Sequence, residues 1–166
     1  MAKQPSYRLQ VLFGLREKDK DEAEKVYAKK MALVQKEKKT HDDMKEQARE
    51  MVRHRQAKKI ENSDKMAAGE LNINQIKGND RHIERLKEQE AAYAVEIKRQ
   101  VEVIQEAEQA AEKAKEEMLK ANQDFKALEK HKEKWAKKVK READMKEADE
   151  AEDIAQAQYF KRLKGE

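Results

Sequence analysis

The chain has 166 residues, of which 45% are charged and 37% hydrophobic, and its formal net charge is +4. Ordinary globular domains are about one quarter charged and nearly half apolar, so this composition argues against a compact domain around one large core. Four glycines and one proline are too few for the turns of a sheet protein, and the absence of cysteine excludes a disulfide framework and a thiolate metal site. Either disorder or a helical rod remains.

The first predicted element is a helix over about residues 6–66. Pro5 and Ser6 are typical of a helix start, because proline presets φ for the first turn and serine can cap free backbone N–H groups. The apolar seam of this helix is weak, since polar residues interrupt it. Its apolar members are Ala23, Tyr27, Val34, Met44, Ala48 and Met51, and its polar members are Lys30, Glu37, His41, Arg55 and Lys58.

A turn is predicted over about residues 67–72. Gly69 favours a left-handed turn, and Asn72 is a candidate cap for the helix that follows. Three apolar residues lie at or beside this turn: Leu71, Ile73 and Ile76. They have two interpretations, which are a hydrophobic plug that closes the turn and a binding surface at the end of the molecule.

The second predicted helix covers about residues 73–163. From Ile76 to Val139 the sequence keeps a seven-residue repeat, with fifteen of its nineteen a and d positions apolar. Such a repeat places one narrow stripe against a partner helix and imposes a left-handed supercoil. After about residue 140 the helix has no partner. This unpaired overhang has seven acidic and two basic residues over 141–153.

The first half of the chain is the predicted partner of this second helix. Folding the chain back at Gly69 gives an all-α fold, a single long antiparallel two-helix coiled-coil hairpin over residues 1–166. The fold-back places Leu12 near Lys126 and Met44 near Tyr93 or Ala94. At the open end, two apolar sets are predicted to pack together: Tyr7, Leu9, Leu12, Phe13 and Leu15 on one side, and Phe125, Leu128 and Trp135 on the other.

Catalytic and cofactor sites are not predicted. The sequence has no glycine-rich phosphate loop and no HExxH motif, its four histidines are scattered, and a two-helix rod offers no concave pocket. The prediction is therefore a protein that is not an enzyme and that binds no metal or cofactor. The longest apolar run, 11–15, is far short of the roughly 20 residues that span a bilayer, so no membrane insertion is expected.

The two ends of the sequence resemble a known family. The stretches YRLQVLFGLREKDKDEAEK at 7–25 and HKEKWAKKVKREADMKEADEAED at 131–153 resemble the YscO type of central stalk protein of bacterial type III secretion, whose flagellar counterpart is FliJ. The resemblance runs along the whole chain. It implies a hairpin similar to the coiled coil of the gamma subunit of ATP synthase, located in the cytoplasm and peripheral to the inner membrane.

The resemblance also implies partners. The open end would bind the hexameric type III secretion ATPase, the turn would face the cytoplasmic domain of the export gate, and the protein would escort export chaperones. The implied ATPase-binding residues are Arg8, Leu9, Leu12, Arg16, Lys134, Trp135, Lys137 and Lys138, and the implied gate-binding residues are Leu71, Ile73, Ile76 and Arg81.

Purely structural interpretations of the same residues, without a binding partner, also remain. The lysines can be solvated helix faces, and Trp135 is more typical of packing than of a partner contact. Two other functional classes also remain. One is a structural coiled-coil scaffold that dimerises through the same seam. The other is a basic nucleic-acid binder, which the small net charge and the aromatic residues assigned to seams argue against, so no nucleic acid is expected as a partner.

Overall fold

The computed structural model describes residues 6–163 and 165. It has two helices, α1 over Gln10–Ala67 and α2 over Ile73–Leu163, and the described residues contain no strand. The two helices pack on each other as an antiparallel hairpin, which confirms the predicted all-α coiled-coil fold. Within the described residues, neither helix has a stretch that is long and apolar enough to cross a membrane.

The chain divides into two compact units. The first, which we call the terminal unit, comprises Met1–Glu24 and Glu116–Glu166, and the second, the turn unit, is Lys25–Lys115. Each unit contains a stretch of α1 and a stretch of α2. The candidate partner-binding residues of the two ends therefore belong to different units.

The start of α1 differs from the expected one. The helix begins at Gln10, whose N–H donates to the carbonyl of Tyr7 at 3.0 Å. Ser6 therefore lies before the helix boundary and does not cap it, while Pro5 lies outside the described residues. Tyr7 is instead buried, with 7% of its surface exposed. Packing of Tyr7, rather than a local cap, fixes the chain ahead of α1.

The turn is closed by two capping motifs. Gly69 has φ of +70°, its N–H donates to the carbonyl of Met66 at 3.1 Å, and the Glu70 N–H donates to that of Lys65 at 3.1 Å. These are the two bonds of a Schellman motif, which favours glycine at its left-handed residue. Asn72 then caps α2, as predicted. Its Oδ1 accepts from the Gln75 N–H, and the Gln75 side chain accepts from the Asn72 N–H, both at 2.9 Å, which is a capping box.

The heptad register of α2 is confirmed. All nineteen a and d positions from Ile76 to Val139 are buried or half-buried. Polar residues on the seam find partners instead of breaking it. Glu90 accepts a 2.7 Å hydrogen bond from Arg55, and Gln100 donates to the carboxylate of Glu37 at 2.6 Å.

The tightest packing lies in the turn unit. Val34 of α1 is 3% exposed and forms a cluster with Ala107 and Ala111 of α2, whose small side chains allow a close approach. Burial of a valine contributes about 1.5–3 kcal/mol. The predicted seam position of Lys30 is wrong, because Lys30 is exposed. The neighbouring Met31 packs against the cluster instead, which keeps an ammonium group in water.

Helix α2 continues beyond its seam. Residues 140–163 are all exposed. Extending the heptad past Val139 places Glu142, Lys146, Asp149 and Asp153 on the seam. Because these side chains offer nothing apolar to bury, the seam ends at Val139 while the helix does not.

Candidate functional site

The terminal unit contains an aromatic cluster that ties the start of the chain to α2. The buried ring of Tyr7 lies 5.2 Å from that of Trp135 and 5.7 Å from that of His131. Tyr7 Oη and His131 Nδ1 share a hydrogen bond of 2.7 Å. This tyrosine therefore combines ring packing with a polar contact between residues 124 positions apart in the chain.

A second aromatic pair lies further along α1. Phe13 and Phe125 have ring centroids 5.1 Å apart. The Lys132 ammonium lies 4.2 Å from the centroid of Phe13, and that of Lys20 lies 5.2 Å from the centroid of Phe125. Such ring pairs contribute about 0.5–1.5 kcal/mol beyond burial, and exposed cation–π contacts about 0.5–1 kcal/mol. The two pairs together hold the terminal stretches of α1 and α2 at fixed positions.

The structure brings three of the predicted ATPase-binding residues together. Arg8, Leu9 and Trp135 line a shallow groove of about 450 Å³, together with Tyr7 and His131. Trp135 is half-buried and packs against Tyr7 with its ring tilted by 54°, so packing accounts for most of its surface. The groove presents a guanidinium group beside an aromatic face.

Two leucines do not join the aromatic cluster as expected. Leu12 is 37% exposed and Leu15 is 53% exposed. By helical spacing Leu12 flanks the inner side of α1, which Leu9, Phe13 and Arg16 occupy, and Leu15 lies further round the helix. Leu12 thus stays a candidate contact residue, and the expected packing of Leu15 on α2 is wrong.

The predicted cations differ in their availability. Arg16 is half-buried and makes ion pairs with Asp19 at 3.4 Å and Asp124 at 3.8 Å. The other four, Arg8, Lys134, Lys137 and Lys138, are exposed. Among the described residues the one ion pair of this group joins Lys138 to Glu142 at 3.9 Å. Within the described residues Arg8, Lys134 and Lys137 are therefore free to meet an outside partner, and Lys138 makes this one long, exposed contact.

The apolar residues of the turn divide into two kinds. Leu71 and Ile76 are half-buried and flank the capping box at the two positions that typically pack as a hydrophobic staple. Ile73, between them, is 72% exposed. Arg81 is also exposed and has no ion pair in the part of the chain that the structure describes. The plug interpretation suits Leu71 and Ile76, and the binding interpretation suits Ile73 and Arg81.

Two residues of the terminal unit were not predicted as site residues from the sequence. Val11 is 87% exposed on the outer side of α1, and His131 holds Tyr7. The fold-back that places Leu12 near Lys126 also places Tyr7 opposite His131, so counting could have found this pair. Nothing in the local sequence distinguishes Val11 from a packed valine.

The shifted pKa values occur away from both candidate ends. Hydrogen bonds from Lys65 and Lys58 lower the pKa of Glu61 to about 2, and the same contact with Glu61 raises the pKa of Lys65. A hydrogen bond from Arg49 lowers the pKa of Glu46. These groups all lie on α1, and apart from the half-buried residues Glu61 and Lys58 they are exposed, as expected for pairs that support an exposed helix. The described residues contain no group of three side chains that could hold a metal ion.

Comparisons with known proteins agree with this architecture. A model of the YscO-like protein family matches residues 4–165. No curated protein sequence matches the chain. A solved structure from Chlamydia trachomatis, CT670, reported as a YscO homolog, is 20% identical. It covers 98% of this chain and 99% of its own with a TM-score of 0.71, which at this identity is a likeness of fold. Since the family model covers nearly the whole chain, this protein belongs to the YscO-like family, a family of structural components of type III secretion.

Proposed function

We propose that this chain is the non-enzymatic central stalk of a type III secretion system. In this proposal the terminal unit binds the hexameric export ATPase, and the turn faces the cytoplasmic domain of the export gate. The protein acts in the cytoplasm, peripheral to the inner membrane, and escorts export chaperones. Membership of the YscO-like family supports the secretion role. The partners rest on the family resemblance and on the geometry of the two ends.

One observation carries the ATPase contact. The terminal unit combines a fixed aromatic cluster with exposed cations at its surface, namely Arg8, Lys134, Lys137 and Lys138. Tyr7 and Trp135 hold the backbone that carries these cations, so the charges are presented at defined positions. Defined positions favour a specific protein surface over general attraction to anions, for which the net charge of +4 is small.

A coupling mechanism follows from symmetry. A pair of helices in the centre of a sixfold ring cannot contact all six subunits equally. The subunits that it contacts differ in free energy from the others, and ordinary allosteric coupling is about 1–3 kcal/mol. Such a difference is enough to bias ring assembly or the order of ATP hydrolysis. This role needs no pocket and no cofactor.

The gate contact is assigned to the exposed part of the turn. Ile73 is an exposed apolar side chain on the first residue of α2, and Arg81 adds an exposed cation two turns later. The two capping motifs around Gly69 and Asn72 fix the backbone that presents Ile73. A rigid turn with one exposed isoleucine suits insertion into an apolar depression of a partner.

The test of the ATPase contact is charge reversal. The triple change Lys134→Glu, Lys137→Glu and Lys138→Glu should abolish co-purification with the cognate export ATPase and the stimulation of its ATP hydrolysis, with helical circular dichroism unchanged. The matched control reverses Lys29, Lys30 and Lys36, which are exposed lysines of the turn unit, and should stimulate like the wild type. Equal stimulation by both variants would show that these three lysines are not needed for binding to the ATPase.

A further inference from the structure

The outer face of α2 in the terminal unit has a second stripe, separate from the seam. Its first half starts at Leu119, passes to Lys126 seven residues later, and then runs at three- and four-residue spacing through Lys130, Lys134, Lys137 and Arg141. The same spacing continues into the overhang through Met145, Ala148, Glu152, Ala155, Tyr159 and Leu163. Residues spaced in this way lie on one side of a helix, and every one of these twelve is exposed.

The charges around this stripe separate at Arg141. Residues 126–141 contain eight basic and two acidic residues, a net charge of 8 − 2 = +6. Residues 142–153 contain seven acidic and one basic residue, a net charge of 1 − 7 = −6. Two adjacent segments of one helix thus have equal and opposite charge.

Little of this acidic charge is neutralised within the chain. In the described residues the one ion pair of 142–153 is the 3.9 Å contact of Glu142 with Lys138. The overhang cannot fold back on the basic segment, because α2 is continuous to Leu163 and no glycine or proline interrupts 126–163. A protein partner for the acidic segment would therefore come from another molecule.

We infer that the stripe binds a second copy of this chain, antiparallel, about a two-fold axis near Arg141. An antiparallel pair with this axis places the acidic segment of each copy against the basic segment of the other. Residues equally far from Arg141 then face each other, which sets Glu152 opposite Lys130. A two-fold axis makes each such contact twice.

The apolar residues at the two ends of the stripe fit the same axis. Leu163 and Leu119 are both 22 residues from Arg141, and they are 64% and 48% exposed. The exposed Leu163 of one copy thereby meets the exposed Leu119 of the other copy. The interface needs nothing from the seam of the hairpin.

This interface uses lysines that the proposed function assigns to the ATPase. Lys134 and Lys137 are covered when two copies pair, so on that assignment pairing and ATPase binding exclude each other. The pairing itself does not depend on the ATPase and is tested without it.

A charge-swap experiment tests the pairing. The first variant carries Asp144→Lys, Asp149→Lys and Glu152→Lys, which changes the net charge of 142–153 from −6 to 4 − 4 = 0. The second carries Lys130→Glu, Lys134→Glu and Lys137→Glu, which changes the net charge of 126–141 from +6 to 5 − 5 = 0. In a mixed pair the unaltered basic segment of the first variant faces the unaltered acidic segment of the second, so the mixture restores one of the two contacts that the separate variants lose.

Sedimentation velocity of the full chain at low ionic strength gives the result. The wild type should sediment as a dimer of the 19.5 kDa chain and dissociate as salt screens the charges. Each variant alone should dimerise at least about tenfold more weakly, and an equimolar mixture should dimerise more tightly than either variant alone. The Lys29, Lys30 and Lys36 reversal variant should dimerise normally. A monomeric wild type, variants that dimerise like the wild type, or a mixture that stays monomeric would each overturn the inference.

Discussion

The hydroxyl oxygen of Tyr7 lies 2.7 Å from Nδ1 of His131. The two residues come from opposite ends of the chain, and their hydrogen bond anchors the segment ahead of α1 on α2. Since Tyr7 also packs against Trp135, one side chain couples the position of the groove at Arg8 and Leu9 to the lysine-rich part of α2.

The first prediction concerns this anchor. Tyr7→Phe keeps the ring and removes the hydroxyl, so it should lower the free energy of unfolding by about 0.5–1.5 kcal/mol. Tyr7→Ala also removes the buried ring and should cost about 3 kcal/mol. Urea denaturation measures both. Tyr159→Phe, at an exposed position, is the control and should change stability by less than about 0.5 kcal/mol. Equal effects of the two Tyr→Phe changes would mean that the hydrogen bond contributes nothing.

The second prediction compares two glycines. Gly69 has φ of +70°, so Gly69→Ala should destabilise the turn by about 1–2 kcal/mol. Gly78 lies within α2 with nothing within 4 Å of an added Cβ, so Gly78→Ala should stabilise the protein by about 0.5–1 kcal/mol. Thermal or urea unfolding gives both signs. The turn geometry described above fails if Gly69→Ala is as stable as the wild type.

The third prediction concerns the polar seam pair of Arg55 and Glu90. Their side chains are 20% and 18% exposed and 2.7 Å apart. Arg55→Leu should destabilise by about 1–3 kcal/mol, because it leaves the Glu90 carboxylate without its donor. The double change to leucine at both positions should recover most of this loss, since an apolar pair needs no partner.

An exposed pair supplies the control for that experiment. Arg49 and Glu46, 71% and 55% exposed, should tolerate Arg49→Leu at a cost below about 1 kcal/mol. If the double leucine variant is no more stable than Arg55→Leu alone, Glu90 is not a half-buried charge that needs its partner.

The fourth prediction concerns the turn. Ile73→Asp should leave folding intact, because the side chain is exposed and an acid in the first turn of α2 suits the helix dipole. It should reduce secretion severalfold if Ile73 contacts the export gate. Ile60→Asp changes an isoleucine that is 62% exposed on α1 and should secrete normally. Wild-type secretion by the Ile73 variant would leave the turn as a structural element alone.

The sequence predicted the seam of α2 better than any other feature. Its apolar repeat is long enough that four polar interruptions do not obscure the register, and the structure keeps that register from Ile76 to Val139. The Asn72 cap was also predictable, because capping depends on residues three positions apart. These features depend on local sequence.

Features that depend on contacts between the helices were harder to predict. The start of α1 moves to Gln10 because Tyr7 packs on Trp135, a contact that outweighs the local preference of Pro5 and Ser6. Met31 occupies the seam position predicted for Lys30, because Val34 and Ala107 provide an apolar surface for it there. At the candidate site, the composition showed that cations gather near Trp135. The contact of His131 with Tyr7 was predictable by counting back from Gly69, whereas the exposure of Ile73 is seen only in the structure.

Site-specific photo-crosslinking tests the central claim most directly. A photoreactive amino acid at position 134, in the terminal unit, is compared with one at position 36, in the turn unit, each in the full chain with the cognate export ATPase. Adducts with the ATPase subunit should form from position 134 and not from position 36. Adducts from position 36 alone, or from neither position under conditions where secretion is active, would contradict the proposed binding of the terminal unit to the ATPase.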